Sequence, residues 1–355
     1  MNQTPRNILV VRTDRLGDVI LTLPVCSTLH TAFPGVRVSM LVRTYVRPII
    51  AGNPFVEDAV WVDDEGGVPK DFFSLRKELD EKNFDAAVIV RPTFRISLLV
   101  FTARIPRRVG TGYRWYSWLF TDRLYEHRKT AERHELEYNL RLLRPLGIEV
   151  SSSAAPDFGI RVPSDVRQEI TAILRSFGIE DDEKVVVLHP ASGGSAREWP
   201  PDRFREVGLR LAEIENVKVV VTGMPSEERT LRRVLESSCP PFVSLVGRLT
   251  LPVLTGLLER ASLFIANSTG PLHLAGALGT PVIGLYPPVR PMSAARWGPY
   301  GENGVALSGD GPGDCQRCAR GGRCACMLSI QINQVLDAAV ALLKSSSMPK
   351  GRGAA

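Results

Sequence analysis

Charged residues and a single glycine follow an apolar run near the start of the chain. The stretch RTDRLGDVILTLP, residues 12–24, comes directly after the apolar NILVV. Gly17 allows a tight backbone turn, and Asp18 stands near the start of a helix-like segment. The carboxylate of Asp18 could act as a general base on an attacking hydroxyl, or it could simply cap the helix. Arg15 could hold an acidic acceptor or be solvated.

A second polar stretch, HPASGGSAREWPPDRF at 189–204, follows another apolar run. Gly193 and Gly194 leave backbone N–H groups free to approach an anion. Arg197 adds a permanent cation with a forked donor face. The pattern fits either a phosphate contact or a flexible loop with one solvated arginine, and Trp199 with two prolines begins the next helix.

The third stretch, NSTGPLHLAGALGTPVIGLY at 267–286, joins helix-capping residues to small ones. The residues that cap or open its helix are Asn267, Ser268, Thr269, Gly270 and Pro271. Free N–H groups and the helix dipole at such an N-terminus favour a diphosphate. His273 lies one turn in, where it could donate a hydrogen bond to the same phosphates or pack as a core histidine.

The elements that must position these residues alternate between short apolar strands and longer helical segments. Strands are predicted at 7–12, 36–42, 56–62, 84–90, 184–190, 217–223, 242–247, 262–267 and 281–286. Helices are predicted at 17–33, 44–52, 71–82, 201–215, 226–237, 250–261 and 269–278. Near-continuous apolar strands are typical of parallel sheets covered on both faces. The sequence therefore predicts an α/β protein with two doubly wound, Rossmann-like domains.

A stretch rich in serine, alanine and proline, SSSAAPDFGIRVP, begins at residue 151 and predicts the crossing between the domains. We expect one domain at 1–155, a second at 156–345 and a disordered tail at 346–355. Ligands bind at the carboxyl ends of strands in such sheets, so two domains facing each other would offer a cleft.

Composition points to a globular protein with acidic partners. The 355 residues are 44% hydrophobic and carry a net charge of +6, with a pI near 9.1. Nucleic acid, an anionic membrane and phosphorylated small molecules are the partners that this charge favours. No apolar run reaches the roughly 18 residues of a spanning helix, and the start lacks a signal-peptide layout. We therefore expect a cytosolic protein.

Residues 91–129 are strongly basic and contain interleaved aromatic residues. The basic residues are Arg91, Arg95, Arg104, Arg107, Arg108, Arg114, Arg123, Arg128 and Lys129, and the aromatic ones are Phe94, Tyr113, Trp115, Tyr116 and Trp118. The segment could be a solvated face, or it could bind an acidic, phosphorylated glycolipid at a membrane surface. No recognised nucleic-acid motif accompanies the charge.

Four of the six cysteines lie within twelve residues of one another, at Cys315, Cys318, Cys324 and Cys326. Four thiolates suit a structural zinc, but the spacing between the pairs is tight and the C-x-C arm is unusual. Free or redox-active thiols are the default interpretation.

The three polar stretches together resemble glycosyltransferase family 9, the ADP-heptose:lipopolysaccharide heptosyltransferases. The resemblance rests on GD at 17–18, REWP at 197–200 and STGPLHLAGALGTPVIGLY at 268–286. It covers nearly the whole chain and implies the GT-B fold, in which an N-terminal acceptor domain and a C-terminal nucleotide-sugar domain face each other across a cleft.

The resemblance also assigns roles to residues. Asp18 matches the family's proposed catalytic base, and Arg197 stands where relatives usually carry a lysine that contacts the donor diphosphate. Ser268 stands where the family's motif commonly begins with Asp. The donor contacts that the resemblance implies are Arg197, Glu227, Leu249, Asn267, Ser268, Thr269, Gly270 and His273. The expected acceptor contacts are Arg15, Gly17, Arg91 and Arg95.

The resulting hypothesis is an inverting, metal-independent transfer of heptose, or a related sugar, from an ADP-sugar to the lipopolysaccharide core. No Asp-x-Asp occurs in the sequence, so fixed positive groups would replace a divalent metal on the diphosphate. The protein would need no cofactor and would associate with the inner face of the cytoplasmic membrane. A nucleotide-sugar epimerase of the same fold and a non-catalytic nucleotide-binding module are the alternatives. A dehydrogenase lacks support because G-x-G-x-x-G is missing.

Overall fold

The computed structural model describes residues 4–149, 156–235, 241–301, 303–315 and 324–345. The chain divides into two compact units. The first unit comprises Met1–Arg128 and Arg133–Arg161, and the second comprises Lys129–Glu132 and Val162–Ala355. The predicted boundary, after residue 155, lies shortly before this division, and the predicted tail lies outside the described residues.

The first unit contains a six-stranded parallel sheet. Its strands are β1 Asn7–Val11, β2 Arg37–Val42, β3 Asp58–Trp61, β4 Ala86–Ile89, β5 Arg107–Thr111 and β6 Asp122–Leu124. Their order across the sheet is β3-β2-β1-β4-β5-β6. The chain therefore builds outward in one direction from β1 and in the other direction from β4. The carboxyl ends of these two strands flank the switch point, which is where doubly wound sheets bind ligands.

Helices connect these strands, as parallel pairing requires. They are α1 Leu16–Ile20, α2 Leu23–Ala32, α3 Arg47–Ile50, α4 Phe72–Glu81, α5 Phe94–Thr102 and α6 Glu135–Arg141. The single helix predicted at 17–33 is two helices, because Pro24 has no N–H to continue the first one and instead occupies the first turn of α2. The helix predicted at 44–52 is a 3₁₀ turn, Thr44–Val46, followed by α3.

The second unit repeats this architecture with another six-stranded parallel sheet. Its strands are β7 Lys184–His189, β8 Val217–Val221, β9 Phe242–Ser244, β10 Leu263–Asn267, β11 Val282–Tyr286 and β12 Gly304–Ser308. The order is β12-β11-β10-β7-β8-β9, so its switch point lies between β10 and β7. The helices are α7 Ser164–Ser176, α8 Pro201–Ala212, α9 Glu228–Leu235, α10 Leu251–Arg260, α11 Gly270–Ala277, α12 Ala294–Trp297 and α13 Ile332–Ser345. The predicted two-sheet α/β fold is confirmed.

Burial explains why the central strands were readable from the sequence. The apolar residues of β1, β4, β7 and β10 are inaccessible or nearly so, since helices cover both faces of each sheet. The largest fully buried side chains include Trp199 and Phe204, whose rings meet edge to face with centroids 5.2 Å apart. These two residues anchor the start of α8 to the second core.

Three strands escaped the sequence analysis, and all three lie toward the edges of the sheets. Strands β5 and β6 begin with charged residues, RRVGT and DRL, and β12 is only half-buried. Strands β6 and β12 are edge strands, which need no continuous apolar run because one side of the ladder is open, whereas β5 lies one strand further in, between β4 and β6. In the described part of the chain no helix has the length and apolar character needed to cross a bilayer.

Candidate active site

The first candidate site lies at the switch point of the first sheet. Arg12 directly follows β1, and Arg91 follows β4, the neighbouring strand. Asp14 connects the two, because its Oδ1 accepts from Nε of Arg12 at 2.7 Å and its Oδ2 lies 3.1 Å from Nη1 of Arg91. The topology of the sheet thus brings charged residues that are far apart in sequence to one edge.

Arg12 is the centre of this site. Its guanidinium is only 3% exposed and forms ion pairs with three carboxylates, those of Asp14, Asp18 and Glu135. Nη2 of Arg12 donates to Oδ1 of Asp18, and Nη1 lies 3.3 Å from Oε1 of Glu135. The five donors of an arginine in a fixed fork suit this arrangement, which a lysine could not reproduce.

Glu135 ties this cluster to α6. It is the first residue of that helix and is buried, and its Oε1 also accepts from Nη1 of Arg128 at 2.6 Å. Arg128 donates further to Oδ1 of Asn139 at 2.9 Å, while Nδ2 of Asn139 donates to the carbonyl of Leu21 at 2.9 Å. The buried charges are therefore paired and hydrogen-bonded, which is the condition for tolerating them in a protein interior.

Asp18 is the carboxylate of this cluster that solvent reaches best, with 16% of its side chain exposed compared with 6% for Asp14 and 2% for Glu135. Burial raises the pKa of Asp18 above its ordinary value. Arg12 opposes this shift, and the carboxylates of Asp14 and Glu135 reinforce it. A partly accessible carboxylate with a raised pKa is what general-base catalysis near neutral pH requires.

The capping interpretation of Asp18 is wrong. The N-cap of α1 is Arg15, which makes no side-chain capping bond, and Asp18 lies within the first turn with its carboxylate on Arg12. Gly17 is buried beside it in the same turn, and the Arg15 side chain is exposed. Helix α1 therefore serves to present Asp18 at the end of β1.

The predicted acceptor contacts Arg91 and Arg95 lie in different surroundings. Arg91 belongs to the charged cluster through Asp14. Arg95 is exposed in the first turn of α5 and donates to the carbonyl of Lys70. Of these two arginines, Arg91 is connected to Asp18 through Asp14 and Arg12. The role of Arg95 stays a prediction.

The predicted donor residues of the second unit follow four neighbouring strands. In the sheet order β10-β7-β8-β9, Ser268 follows β10, Arg197 follows β7, Glu227 follows β8 and Leu249 follows β9. Because parallel strands end at the same edge, these four segments line one edge of the second sheet. Residues that lie between positions 197 and 268 of the sequence are thereby collected on one side of one domain.

Hydrogen bonds and a buried tryptophan hold the segment 190–199, between β7 and α8, in place. Oε1 of Glu198 accepts from both the N–H and the hydroxyl of Ser192, at 2.8 and 2.7 Å. Trp199 is fully buried, and its Nε1 donates to the carbonyl of Ile330 at 3.0 Å. These contacts hold both ends of the segment and leave its glycines at the surface.

Asn267 fastens the same segment to β10. Its Oδ1 accepts from the N–H of Trp199 at 2.9 Å, and its Nδ2 donates to the carbonyl of Pro190 at 2.6 Å. The side chain has no exposed surface. The predicted donor contact of Asn267 is therefore corrected: its amide is occupied at both ends, so it positions the segment instead of touching a ligand.

Gly193 and Gly194 form the exposed tip of this segment. Both have left-handed backbone angles, φ +55° and +75°, which glycine adopts without strain. The Oε1 atom of Glu227 lies close by, 3.5 Å from where a Cβ on Gly193 would stand. Arg197 is half-exposed and forms no ion pair with any described residue. The carboxylate of Glu227 thus lies beside the glycines after β7, and Arg197 belongs to the same segment.

Thr269 and its neighbours form the N-terminus of α11. Thr269 is the N-cap and is 5% exposed, yet its hydroxyl has no hydrogen-bond partner among the described residues. The phenol of Tyr286 donates to the carbonyl of Trp297 at 2.8 Å, and His273 is buried with its ring centroid 6.1 Å from that of Trp297. A buried hydroxyl without a protein partner is costly, so this helix start is suited to an external acceptor such as a phosphate.

A second histidine, His189, lies at the end of β7 at the switch point. It is buried, and its Nδ1 lies 3.0 Å from the hydroxyl of Thr222. Burial lowers the pKa of His189 to about 4, so the ring is neutral at physiological pH. This residue contributes a hydrogen bond rather than a charge to the edge of the sheet.

Three of the four cysteines of the zinc hypothesis lie within the described residues. Cys324 is buried in the second core and Cys326 packs against that core, while Cys315 is half-buried. No three metal-ligating side chains cluster within the described ranges. Cys318 lies outside them, so a four-cysteine site stays a prediction.

Sequence reasoning missed Asp14, Glu135 and Arg128 as members of the candidate site. Asp14 carried a signal, because it lies between Arg12 and Asp18 directly after a buried strand. Glu135 carried none, since a glutamate at the start of a helix is ordinarily a solvated charge that favours the helix dipole. Only the fold shows that it is buried against two arginines.

Two doubly wound parallel sheets in one chain, each with its polar residues at a switch point, define the GT-B class of folds. A family model described as "Glycosyltransferase family 9 (heptosyltransferase)" matches residues 72–321. The chain belongs to this family of glycosyltransferases, and the resemblance found in its motifs is confirmed.

Individual relatives agree with this assignment. The chain is 27% identical over 296 residues to lipopolysaccharide heptosyltransferase 3 of Escherichia coli, covering 81% of this chain and 83% of that protein. A family 9 glycosyl transferase from Veillonella parvula superposes with a TM-score of 0.82 at 23% identity, over 97% of this chain and 99% of the other. The structure of E. coli ADP-heptose lipopolysaccharide heptosyltransferase II superposes with a TM-score of 0.78 at 21% identity, over 96% of this chain and 99% of the other. The two structural matches show a shared fold.

Proposed function

We propose that this protein transfers heptose, or a closely related sugar, from an ADP-sugar to the lipopolysaccharide core with inversion at the transferred carbon. The names of the relatives supply the substrate class, since they are lipopolysaccharide heptosyltransferases and one is named for ADP-heptose. The observation that carries the proposal is the Asp18 carboxylate, which is partly accessible, has a raised pKa and is fixed by a buried arginine.

Asp18 acts on the acceptor in this mechanism. Its ionised carboxylate takes the proton of the acceptor hydroxyl as the oxygen attacks the anomeric carbon of the donor sugar. The bond from that carbon to the diphosphate oxygen breaks, and its electron pair leaves with ADP. Arg12 holds the carboxylate in place, so little reorganisation is needed when the proton moves.

The second unit acts on the leaving group. Arg197, the hydroxyl of Thr269 and the N-terminus of α11 are positive or hydrogen-bond-donating groups suited to the charge that develops on the departing diphosphate. His273 lies one turn further along α11, and Glu227 and Leu249 are candidates for the ribose and the adenine. In this proposal these fixed groups make the reaction independent of a divalent metal.

The location of the acceptor determines where in the cell the reaction takes place. A lipopolysaccharide precursor is anchored in lipid, so we place the reaction at the inner face of the cytoplasmic membrane, with the protein associated peripherally. The basic residues that follow β4 are suited to the phosphates of such an acceptor.

A single experiment separates this function from its alternatives. The protein is incubated with ADP-heptose and a truncated lipopolysaccharide acceptor, and products are identified by mass spectrometry. Transfer predicts an acceptor heavier by one heptose, and ADP released only when acceptor is present. An epimerase would isomerise the donor without acceptor, and a binding module would retain ADP without any turnover. Either result would replace the present proposal.

A further inference from the structure

Helix α5 and the loop after β5 expose a contiguous apolar surface, which we call the aromatic face. It consists of Phe94, Leu98, Phe101, Trp115 and Trp118. The two tryptophans are 74% and 57% exposed, and the two phenylalanines are 41% and 38% exposed. Single exposed apolar residues are common on proteins, but a contiguous set with two tryptophans is a mark of an interaction surface.

The contacts within the face show that it is one surface. Phe94, Leu98 and Phe101 occupy positions i, i+4 and i+7 of α5, so they share one side of the helix. The ring of Trp115 stacks on Phe94 at 4.9 Å, and Trp118 meets Phe101 edge-on at 5.8 Å. The opposite side of α5 supplies Ile96, Leu99 and Val100 to the first core. The other side is only partly covered: Leu98 packs against the first core and Phe94 contacts the buried Tyr116, but both phenylalanines keep exposed surface.

Arginines are concentrated in the stretch of chain that carries the aromatic face. Residues 91–121 contain no aspartate or glutamate, and their six arginines are Arg91, Arg95, Arg104, Arg107, Arg108 and Arg114. Arg104 and Arg114 are exposed and form no ion pair with any described residue. Arg108 covers the ring of Phe101, with 5.2 Å from its guanidinium carbon to the ring centroid. Arg91 and Arg107 are paired with Asp14 and Asp122, so the cationic border of the face consists of Arg104, Arg108 and Arg114.

We propose that the aromatic face is a docking surface for an anionic lipid bilayer. Tryptophan and phenylalanine are suited to the boundary between headgroups and acyl chains, and arginines at the border are suited to lipid phosphates. A second copy of this chain is a poorer occupant, because it would bring two arginine-rich borders together. The surface deepens the membrane association stated under the proposed function, but its test needs no catalysis.

Vesicle binding tests the surface directly. Full-length protein is sedimented with vesicles of phosphatidylglycerol and phosphatidylethanolamine, and separately with neutral phosphatidylcholine vesicles. We expect binding to the anionic vesicles only, with a loss on raising the salt concentration, because the charges at the border are screened. The double variant Trp115→Ala/Trp118→Ala is expected to lower the partition coefficient by about tenfold or more.

Matched variants control for fold and for charge. Phe177→Ala removes an exposed aromatic ring of the second unit, which is also covered by an arginine, and is expected to bind as wild type does. Arg104→Gln/Arg114→Gln is expected to weaken binding by roughly tenfold at low salt. Arg133→Gln/Arg161→Gln, which changes two exposed arginines outside the face, makes the same change in net charge and is expected to weaken binding far less.

Three outcomes overturn the inference: wild-type protein that ignores anionic vesicles, tryptophan variants that bind them unchanged, or a wild-type dimer that these variants convert to monomer. The last result, from sedimentation velocity, would assign the face to self-association. Thermal unfolding of each variant verifies its fold. Transfer to a short water-soluble acceptor should be unchanged in Trp115→Ala/Trp118→Ala. Vesicle binding by a protein without transfer activity would overturn the proposed function but keep this surface.

Discussion

Arg12 and Asp18 form an ion pair at the switch point of the first sheet, with Nη2 of Arg12 donating to Oδ1 of Asp18. The same guanidinium also holds Asp14 and Glu135, so one buried cation serves three carboxylates. Burial, reinforced by the carboxylates of Asp14 and Glu135, keeps the pKa of Asp18 above its ordinary value in spite of its direct contact with an arginine. The ion pair therefore fixes the carboxylate without abolishing its basicity.

Replacing the carboxylate of Asp18 tests its role as a base. Asp18→Asn keeps the shape of the side chain but cannot accept the proton, so kcat is expected to fall by about 10²- to 10⁴-fold. Binding of ADP, measured by calorimetry, should stay close to wild type because the donor residues lie in the other unit. Asp80→Asn, at an exposed position of α4, is the control and should change neither value. Lost ADP binding with normal turnover would contradict this division of roles.

The same variant makes a prediction about stability. Because the pKa of Asp18 is raised in the folded protein, proton binding at Asp18 stabilises the folded state. This stabilisation is complete below the ordinary pKa of an unfolded aspartate and is lost as the pH rises through the raised pKa. Asparagine does not ionise. We therefore expect Asp18→Asn to raise the free energy of unfolding in urea at neutral pH, with a gain that shrinks as the pH is lowered. A destabilised variant at neutral pH would show that the ion pair with Arg12 dominates instead.

Glu135 is expected to tune the base through its charge. Glu135→Gln keeps an oxygen acceptor for Arg12 and Arg128 but removes a carboxylate that raises the pKa of Asp18. The acid limb of the pH profile of kcat/KM should therefore move to lower pH, since the base loses its proton more readily. Glu65→Gln, in a surface ion pair with Arg47, should leave the profile in place. An unmoved acid limb in Glu135→Gln would limit this residue to a structural role.

The sequence predicted the central strands well, for a physical reason. Strands covered on both faces need continuous apolar residues, so NILVV and KVVVLH can be recognised as strands from the sequence alone. Doubly wound sheets bind ligands after such strands, so Asp18 and Arg197 can be proposed as site residues from their position in the chain, and their roles stay predictions.

The partners of these residues could not be predicted in the same way. Glu135 lies 123 residues from Arg12, and Trp199 lies 68 residues from Asn267. Nothing in the local pattern distinguishes an asparagine that ties two segments together from one that contacts a ligand. The distinction depends on which donors and acceptors the fold leaves beside the amide, and here they come from the segment between β7 and α8.

Loss of the Asn267 amide should loosen the segment between β7 and α8. Asn267→Ala leaves the N–H of Trp199 and the carbonyl of Pro190 buried without partners, at a cost of about 3 kcal/mol in the free energy of unfolding. KM for the donor should rise more than kcat falls, because the segment carries Arg197. Asn333→Ala, at an exposed position of α13, should cost less than about 0.5 kcal/mol. If Asn267→Ala were as stable as wild type, Asn267 would not be needed to hold the segment between β7 and α8 against β10.

The hydroxyl of Thr269 gives the sharpest test of the donor site, because the folded protein offers it no partner among the described residues. Thr269→Val removes this hydroxyl with little change in volume. The variant is expected to be more stable by about 1 kcal/mol and to bind ADP roughly fivefold more weakly. Thr269→Ser should restore ADP binding. Thr280 is the matched control: its buried hydroxyl donates to the carbonyl of Leu258 at 2.6 Å, so Thr280→Val should destabilise the protein instead. Opposite signs in the two valine variants would show that Thr269 is kept for a ligand. If ADP bound to Thr269→Val as tightly as to wild type, the hydroxyl would have no place in the donor site.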